Sequence, residues 1–237
     1  MKPERTFRVS YTEKEMADSF LYLLTSPEGL PGIGSFNAVY PEVSCHQGRP
    51  DFIALRYKDC LQSTRLPEAM GIVGPAILTI LKPKAPRTLS YLVSHSEFSE
   101  DSIRRLLRQL VASGHVKRTE TASYSLGGVA TQLQTELWAF ELKLDNPKRA
   151  VFQAQQSRLY ANRAVIVVPP RQESHYLKYK MTMKRWNIGL ATFDPDNGIF
   201  KISRRCRNTR AISPQHQIYA LSQINSGGHH TGSWGQI

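Results

Sequence analysis

Hydrophobic and polar positions divide the chain into three stretches with different periodicity. In the first stretch, Thr12 followed by Glu15 is typical of a capping box, and the apolar spacing after it predicts a helix that ends near Leu24. The residues at 36–44 and 51–57 alternate in character and are separated by a turn containing Gly and Pro. This stretch therefore predicts one helix followed by a β-hairpin.

The middle stretch, residues 61–132, has helical periodicity instead. It predicts three short helices, which begin near Ala76, Thr88 and Phe98, and Gly114 ends the third. A short alternating segment then predicts a small hairpin. Three helices followed by a two-stranded wing resemble a winged helix-turn-helix over residues 76–127.

From Thr135 onwards the pattern predicts a strand, a helix and a second strand. The first strand divides its side chains between two faces, one with Leu137, Ala139, Glu141 and Lys143, and the other with Trp138, Phe140, Leu142 and Leu144. Pro147 opens a helix to about 162, and residues 164–168 are apolar on both faces, as in a buried parallel strand. These elements predict a right-handed crossover. A helix at 172–186 and strands at 188–193 and 199–203 complete the pattern.

Composition excludes several classes of protein. The 237 residues are 41% hydrophobic and 21% charged, which is ordinary for a globular protein and not for a disordered or fibrous one. No apolar run is long enough for a membrane span, and the first residues contain no signal-peptide core. We therefore expect a cytoplasmic protein without a membrane partner.

The charge is strongly positive and unevenly distributed. Lys and Arg total 31 against 19 Asp and Glu, which gives a net charge of +12 and a pI near 9.8. Residues 1–60 carry 7 basic and 8 acidic side chains, whereas residues 170–237 carry 10 basic and 3 acidic ones. Such a field favours a polyanion, and DNA is the partner we expect. The alternative is a basic protein without a nucleic-acid partner.

The main candidate chemistry is carried by Asp51 on one predicted strand and by Glu141 and Lys143 on another. Two charges on a strand whose other face is apolar are costly unless they are paired or bound to a metal. Gln156 and Tyr160 follow at i and i+4 on the crossover helix. We expect them to lie on the helix side that packs on the sheet, together with Phe152 and Leu159.

Pro50-Asp51, Glu141-x-Lys143 and Gln156-x-x-x-Tyr160 together resemble the PD-(D/E)XK nuclease superfamily. The surrounding sequence is similar to the branch of virus-type replication-repair nucleases and Holliday-junction resolvases. The match covers about 1–60 and 133–203. The chain departs from the family's pattern in one respect. Asp51 and Glu141 are 90 positions apart, whereas in the family a short hairpin usually separates the two corresponding residues. An inserted winged-helix domain accounts for it, since insertions are tolerated at loop tips.

The resemblance implies a role for each of these residues. Asp51, Glu141 and the backbone carbonyl of Leu142 would bind Mg²⁺, with Mn²⁺ as a substitute. Lys143 would orient the attacking water and stabilise charge in the transition state. Gln156 and Tyr160 would hold the site or contact a phosphate. A further carboxylate ligand would come from Glu13 or from Glu42.

Each assignment has an alternative that the sequence leaves open. Asp51 would cap a turn after Pro50, and Glu141 and Lys143 would form a surface ion pair on an edge strand. Gln156 and Tyr160 would be ordinary helix residues. Glu13 would be a solvated residue of the first helix.

The winged-helix segment adds a candidate DNA surface. Its basic residues lie on the polar side of the third helix and at the start of the wing: Arg104, Arg105, Arg108, Lys117 and Arg118. This arrangement would place a recognition helix in the major groove. The alternative is that the segment contacts another protein.

These inferences predict an α/β protein with a restriction-endonuclease-like core, whose central mixed sheet is flanked by helices, and an inserted winged-helix domain. The expected division is 1–60 and 133–225 for the core, 61–132 for the insertion and 226–237 for a flexible tail. The expected function is metal-dependent hydrolysis of DNA by an endonuclease. One alternative is a nuclease or DNA-binding subunit of a multi-protein transposition or phage-defence complex. Another is a binding protein on an inactive core. A homodimer or a partner protein would complete such assemblies.

Overall fold

The computed structural model describes residues 11–57, 70–127 and 135–225. It is a mixed α/β structure with one six-stranded and one two-stranded sheet. The strands are β1 Ala38–Pro41, β2 Phe52–Tyr57, β3 Val116–Arg118, β4 Tyr124–Leu126, β5 Thr135–Leu142, β6 Arg163–Val168, β7 Ile188–Asp194 and β8 Ile199–Arg204. The helices are α1 Glu13–Leu24, α2 Val73–Ile80, α3 Leu89–Ser94, α4 Glu100–Ala112, α5 Pro147–Ser157, a 3₁₀ helix Pro170–Tyr179, α6 Lys180–Arg185 and α7 Pro214–Asn225.

The large sheet has the strand order β1-β2-β5-β6-β7-β8 and is mixed, as the sequence predicts. β5, β6 and β7 run parallel, while β1, β2 and β8 pair antiparallel to their neighbours. The predicted strand–helix–strand crossover is therefore confirmed as β5, α5 and β6. β5 lies between β2 and β6, so it is a central strand and the edge-strand alternative for Glu141 and Lys143 is wrong.

An aromatic core fills one face of the sheet beneath α1. Both halves of the predicted capping box form, because the Thr12 hydroxyl accepts from the Glu15 N–H and the Glu15 carboxylate accepts from the Thr12 N–H. The ring of Phe20, which is completely buried, lies 5.5 Å from Phe140 and 5.4 Å from Phe193. These contacts fix the start of α1 near the end of β5.

The opposite face of β6 and β7 is covered by α5, α6 and the 3₁₀ helix. α5 buries Ala150, Val151 and Ala154, and Phe152 is 57% exposed. The expectation that Phe152 packs on the sheet is wrong, because the buried stripe is made of smaller side chains. The helix also ends at Ser157 rather than near 162.

Residues 73–126 form three helices and a small hairpin, in the predicted order. Their core is continuous with the sheet, since one hydrophobic cluster contains Ile77 and Leu107 together with Leu55 and Leu137. α7, which the sequence analysis did not identify, adds Ile218 and Leu221 to this cluster and packs against α2. The segment thus shares its hydrophobic core with the sheet.

Two features of the predicted organisation lie outside the described residues. The boundaries near 60 and 132 fall within 58–69 and 128–134, and the predicted tail is 226–237; the structure describes none of these three ranges. Within the part of the chain that the structure describes, no helix has the length and apolarity needed to cross a membrane.

Candidate active site

The start of β2 and the end of β5 bring Asp51 and Glu141 together. Phe52 pairs with Phe140 across the two antiparallel strands, so Asp51 and Glu141 are opposite each other one position further along. The Leu142 N–H donates a hydrogen bond of 2.6 Å to the Asp51 Oδ2 atom. Strand pairing thus closes the 90-residue separation seen in the sequence.

Glu141 is a buried carboxylate without a complete set of partners. Its side chain belongs to a residue that is 2% exposed, and its Oε2 atom has no hydrogen-bond partner among the described residues. Burial, and then the neighbouring Asp51, raises the pKa of Glu141 from an ordinary 4.5 to about 8. Burial also raises the pKa of Asp51, against the opposing effects of Lys143 and the Leu142 N–H.

Lys143 connects these carboxylates with a third one. Its ammonium lies 2.6 Å from the Glu13 Oε1 atom and 3.5 Å from the Asp51 Oδ2 atom. Burial favours the neutral amine, but Asp51, Glu13 and Glu141 together outweigh it and raise the pKa of Lys143. Glu13 reaches Lys143 because it is the first residue of α1, directly after the Thr12 cap.

The charge of this cluster is unbalanced. Glu13, Asp51 and Glu141 would carry three negative charges when ionised, against one positive charge on Lys143. A divalent cation would neutralise the difference, and the free Oε2 atom of Glu141 is a ligand of the type that Mg²⁺ prefers. In the described ranges no three His, Cys, Asp or Glu side chains are grouped for metal binding. Two protein carboxylates are nevertheless sufficient for Mg²⁺, which keeps waters and phosphate oxygens as its other ligands.

The other predicted site residues lie at different distances from this cluster. The Glu42 carboxylate pairs with Arg49 at 2.5 Å on the surface. The side chain of Gln156 lies beside Gly48, in the turn that leads to Asp51. Tyr160 is completely buried, and its hydroxyl lies 3.0 Å from the Ser157 Oγ atom. Tyr160 is therefore packed behind the site and is not open to solvent.

Arg104, Arg105, Arg108, Lys117 and Arg118 are all exposed on α4 and β3. Glu100 pairs with Arg104 at 2.5 Å, one helical turn away. The other four cations have no carboxylate within ion-pair distance in the part of the chain that is described. The predicted surface thus exists as a basic face of this segment.

Two further residues near the cluster were not predicted from the sequence. Arg149, in the first turn of α5, lowers the pKa of Glu141 through its charge. A basic residue soon after the strand that contains Glu141 is a sequence feature that could have predicted this contact. Tyr176, on the 3₁₀ helix, is completely buried, and its hydroxyl has no hydrogen-bond partner among the described residues. Its electrostatic neighbours include Asp145 and Glu13. No local pattern marks Tyr176, because only the fold brings the 3₁₀ helix here.

Comparison with known proteins yields no relative. No protein-family model matches the chain, and searches of the curated proteins and of the solved structures find no match. We therefore infer the function from the geometry of the chain itself.

Proposed function

We propose that this protein is a metal-dependent DNA endonuclease that hydrolyses phosphodiester bonds. The observation that supports it most is the buried Glu141 carboxylate, whose Oε2 atom is unpartnered in the described structure and which lies beside Asp51. A buried carboxylate without a partner is costly, and sites of catalysis or metal binding are where such costs are found. The net charge of +12 would attract the polyanionic substrate.

In this proposal each residue of the cluster has a distinct task. Asp51 and Glu141 would hold Mg²⁺, together with the Leu142 carbonyl at the end of β5. The bound ion supplies a Lewis acid for the phosphate and lowers the pKa of water. The Lys143 ammonium would donate hydrogen bonds to the charge that develops on the phosphate. Glu13 would keep that ammonium protonated and directed towards Asp51.

The architecture is compatible with a restriction-endonuclease-like core and an inserted winged helix. A restriction-endonuclease-like core is supported by the central mixed sheet and by the position of Asp51, Glu141 and Lys143 at the end of β5. A winged helix is supported by the order of α2, α3, α4, β3 and β4 and by the bridge between Arg87 and Tyr124, which adds a third chain segment beside the hairpin. Both assignments remain part of the proposal.

The test is cleavage of supercoiled, linear and branched DNA with Mg²⁺, Mn²⁺ or EDTA. We expect metal-dependent cutting, and a loss of about a hundredfold or more in Asp51→Asn and Lys143→Ala. Glu42→Gln is the matched control, because this carboxylate is at the surface and paired with Arg49. Cutting that persists in EDTA, or that survives in both site variants, would exclude this proposal.

A second candidate is a nuclease subunit that is weakly active alone. It is favoured by one observation, namely that Glu13 and Asp51 already engage the Lys143 ammonium. A partner protein in a transposition or defence complex would then be needed to open this pair. Weak cutting by the pure protein, with strong cutting after addition of a partner protein, would distinguish this candidate from a free-standing enzyme.

A further inference from the structure

The segment that follows β8 is a loop with a high density of positive charge. Arg204, Arg205, Arg207 and Arg210 fall within seven residues, and no Asp or Glu occurs from 197 to the end of the chain at 237. We refer to residues 204–210 as the arginine loop. It has no regular secondary structure after Arg204.

The Arg204 guanidinium donates to the Ile188 carbonyl at 3.1 Å, whereas the other three arginines of the loop point their charges to solvent. Arg205, Arg207 and Arg210 are exposed, and none of them has a carboxylate within 4.0 Å in the described ranges. Mutual repulsion among like charges would favour spreading them apart. The loop nevertheless keeps them on one short segment.

The backbone of the arginine loop is firmly attached to the sheet. The Asn187 side chain makes two hydrogen bonds of 2.9 Å with Arg207, accepting from its N–H and donating to its carbonyl. The Asn162 side chain donates to the Thr209 carbonyl at 3.3 Å, and the Asn162 main-chain carbonyl accepts from the Thr209 N–H at 3.4 Å. The Arg163 guanidinium donates to the Cys206 carbonyl at 2.6 Å. The main chain of this irregular segment is therefore held in one conformation.

The buried side chain of Arg158 also holds the loop in that conformation. Its residue is 3% exposed, and its guanidinium donates to the Thr209 hydroxyl at 2.7 Å and to the Arg210 carbonyl at 3.2 Å. It also donates to the Ala161 carbonyl. No carboxylate within ion-pair distance neutralises Arg158 in the described structure. A buried charge that only holds a loop is expensive, so the shape of the loop is under strong constraint.

The loop lies at the end of the sheet opposite the candidate active site. Arg163 and Asn162, which hold the loop, are at the start of β6, and Asn162 also accepts from the Leu137 N–H through its side chain. Glu141 and Lys143 are at the other end of β5. Asn162 meets β5 at Leu137, so four to six residues at ~3.3 Å each separate this anchor from Glu141 and Lys143, which is about 13–20 Å along the strand. The arginine loop is therefore a separate surface.

We propose that the arginine loop binds the phosphate backbone of duplex DNA, outside the position where the strand is cut. The proposal rests on the proposed nuclease function and deepens it, because one duplex would reach both surfaces over about four to six base pairs at ~3.4 Å per pair. Exposed arginines on a fixed backbone suit phosphates, which a guanidinium binds through two parallel N–H groups. The interaction carries no sequence information and sets the position of the duplex.

The composition of the loop favours DNA over an anionic membrane surface. Membrane-binding basic segments place apolar side chains beside their charges, so that those side chains enter the lipid. The exposed residues between 204 and 210 are arginines together with Asn208 and Thr209, all of them polar, and Ile212 is the one large apolar side chain exposed in the described segment 211–224 that follows. The loop is also held rigidly, which suits fixed phosphate positions on a duplex better than mobile lipid headgroups.

The test is binding of a fluorescent duplex of about 30 base pairs in EDTA, measured by anisotropy over a range of salt concentrations. The test variant is Arg205→Ala/Arg207→Ala, and the matched control is Lys178→Ala/Lys180→Ala, which removes two exposed charges elsewhere on the surface. The charge-preserving variant Arg205→Lys/Arg207→Lys and a thermal unfolding curve of each protein monitor folding. Because no cutting is required, the result does not depend on catalysis.

We expect the Arg205→Ala/Arg207→Ala variant to lose about tenfold in affinity and to reduce the slope of log K against log salt by about 2, at ~0.9 for each phosphate contact. The lysine pair should leave that slope unchanged.

Equal losses in both pairs, or no loss in the arginine pair, would overturn the proposal. Loss of binding to phosphatidylserine vesicles with DNA binding unchanged would overturn it in favour of a membrane. DNA that is bound through the loop but never cut would contradict only the nuclease, and normal binding and cutting by the arginine variant would contradict only the loop.

Discussion

The two ends of β5 bury charge in opposite ways. At the Leu142 end, Glu141 keeps a buried carboxylate oxygen without a partner among the described residues. At the Thr135 end, the Glu136 carboxylate lies 2.5 Å from Arg163 and 3.7 Å from Arg56. Both of those guanidinium groups also lie over the ring of Trp138, at 4.6 and 5.7 Å from its centroid.

This difference separates a functional region from a structural one. Opposite charges that are paired and packed hold elements together, and at the Thr135 end they attach the arginine loop to the sheet. A buried carboxylate oxygen without a hydrogen-bond partner stabilises nothing, so the Leu142 end costs stability unless a cation completes it. We therefore expect mutations at the two ends to change stability in opposite directions.

The largest change in stability is expected for Arg158, the buried cation that holds the arginine loop. Arg158→Met removes hydrogen bonds to the Ala161 and Arg210 carbonyls and leaves them unpaired. We expect the free energy of unfolding in urea to fall by about 3 kcal/mol, as for a broken buried polar network. Arg104→Ala, which removes an exposed pair with Glu100, is the control and should cost about 0.5 kcal/mol or less. A loss below about 1 kcal/mol in Arg158→Met would refute the anchoring role.

At the other end, Glu141→Gln should stabilise the protein in EDTA. The pKa of Glu141 is raised to about 8 in the folded state by burial, so between its ordinary 4.5 and that value the folded protein binds more protons than the unfolded chain. The free energy of unfolding of the wild type should therefore fall as pH rises through this window. Glutamine removes the penalty.

The measurement is urea unfolding of both proteins at pH 4.5 and pH 8.5. We expect similar stabilities at the lower pH and an advantage on the order of 2–3 kcal/mol for Glu141→Gln at the higher one. The same variant should lose metal-dependent cleavage. If the variant is less stable than the wild type at pH 8.5, Glu141 is a structural residue and the comparison between the two ends fails.

Sequence patterns predict the features that depend on residues close together in the chain, such as helix caps and strand faces. They do not predict contacts between residues that are far apart in the chain. Alternation along 135–144 correctly predicts the two faces of β5, and the capping box correctly predicts the start of α1. The contact between Glu13 and Lys143 depends on where α1 lies over the sheet, and no spacing encodes that. α7 was also not predicted, although Ser213 followed by Pro214 is a helix-start signal. Burial of Arg158 is contrary to the usual exposure of arginine, so composition alone points away from it.

The smallest expected change in stability, and the most informative about the site, concerns Glu13. Its side chain is 46% exposed, and the pair with Lys143 should contribute only about 0.5 kcal/mol or less to folding. If Glu13 positions Lys143 without binding the metal, Glu13→Gln should lower kcat by about tenfold while the Mg²⁺ concentration for half-maximal activity stays the same.

A shift of that Mg²⁺ midpoint to higher concentration would instead identify Glu13 as a ligand, as the family resemblance implies. Asp18→Asn is the matched control, since Asp18 is an exposed carboxylate further along the same helix, and it should alter neither quantity. Loss of more than about 1 kcal/mol of stability in Glu13→Gln would mean that the pair with Lys143 holds α1 on the sheet. In that case the Leu142 end of β5 would contain a structural ion pair of its own, and the contrast with the Thr135 end would be confined to Glu141.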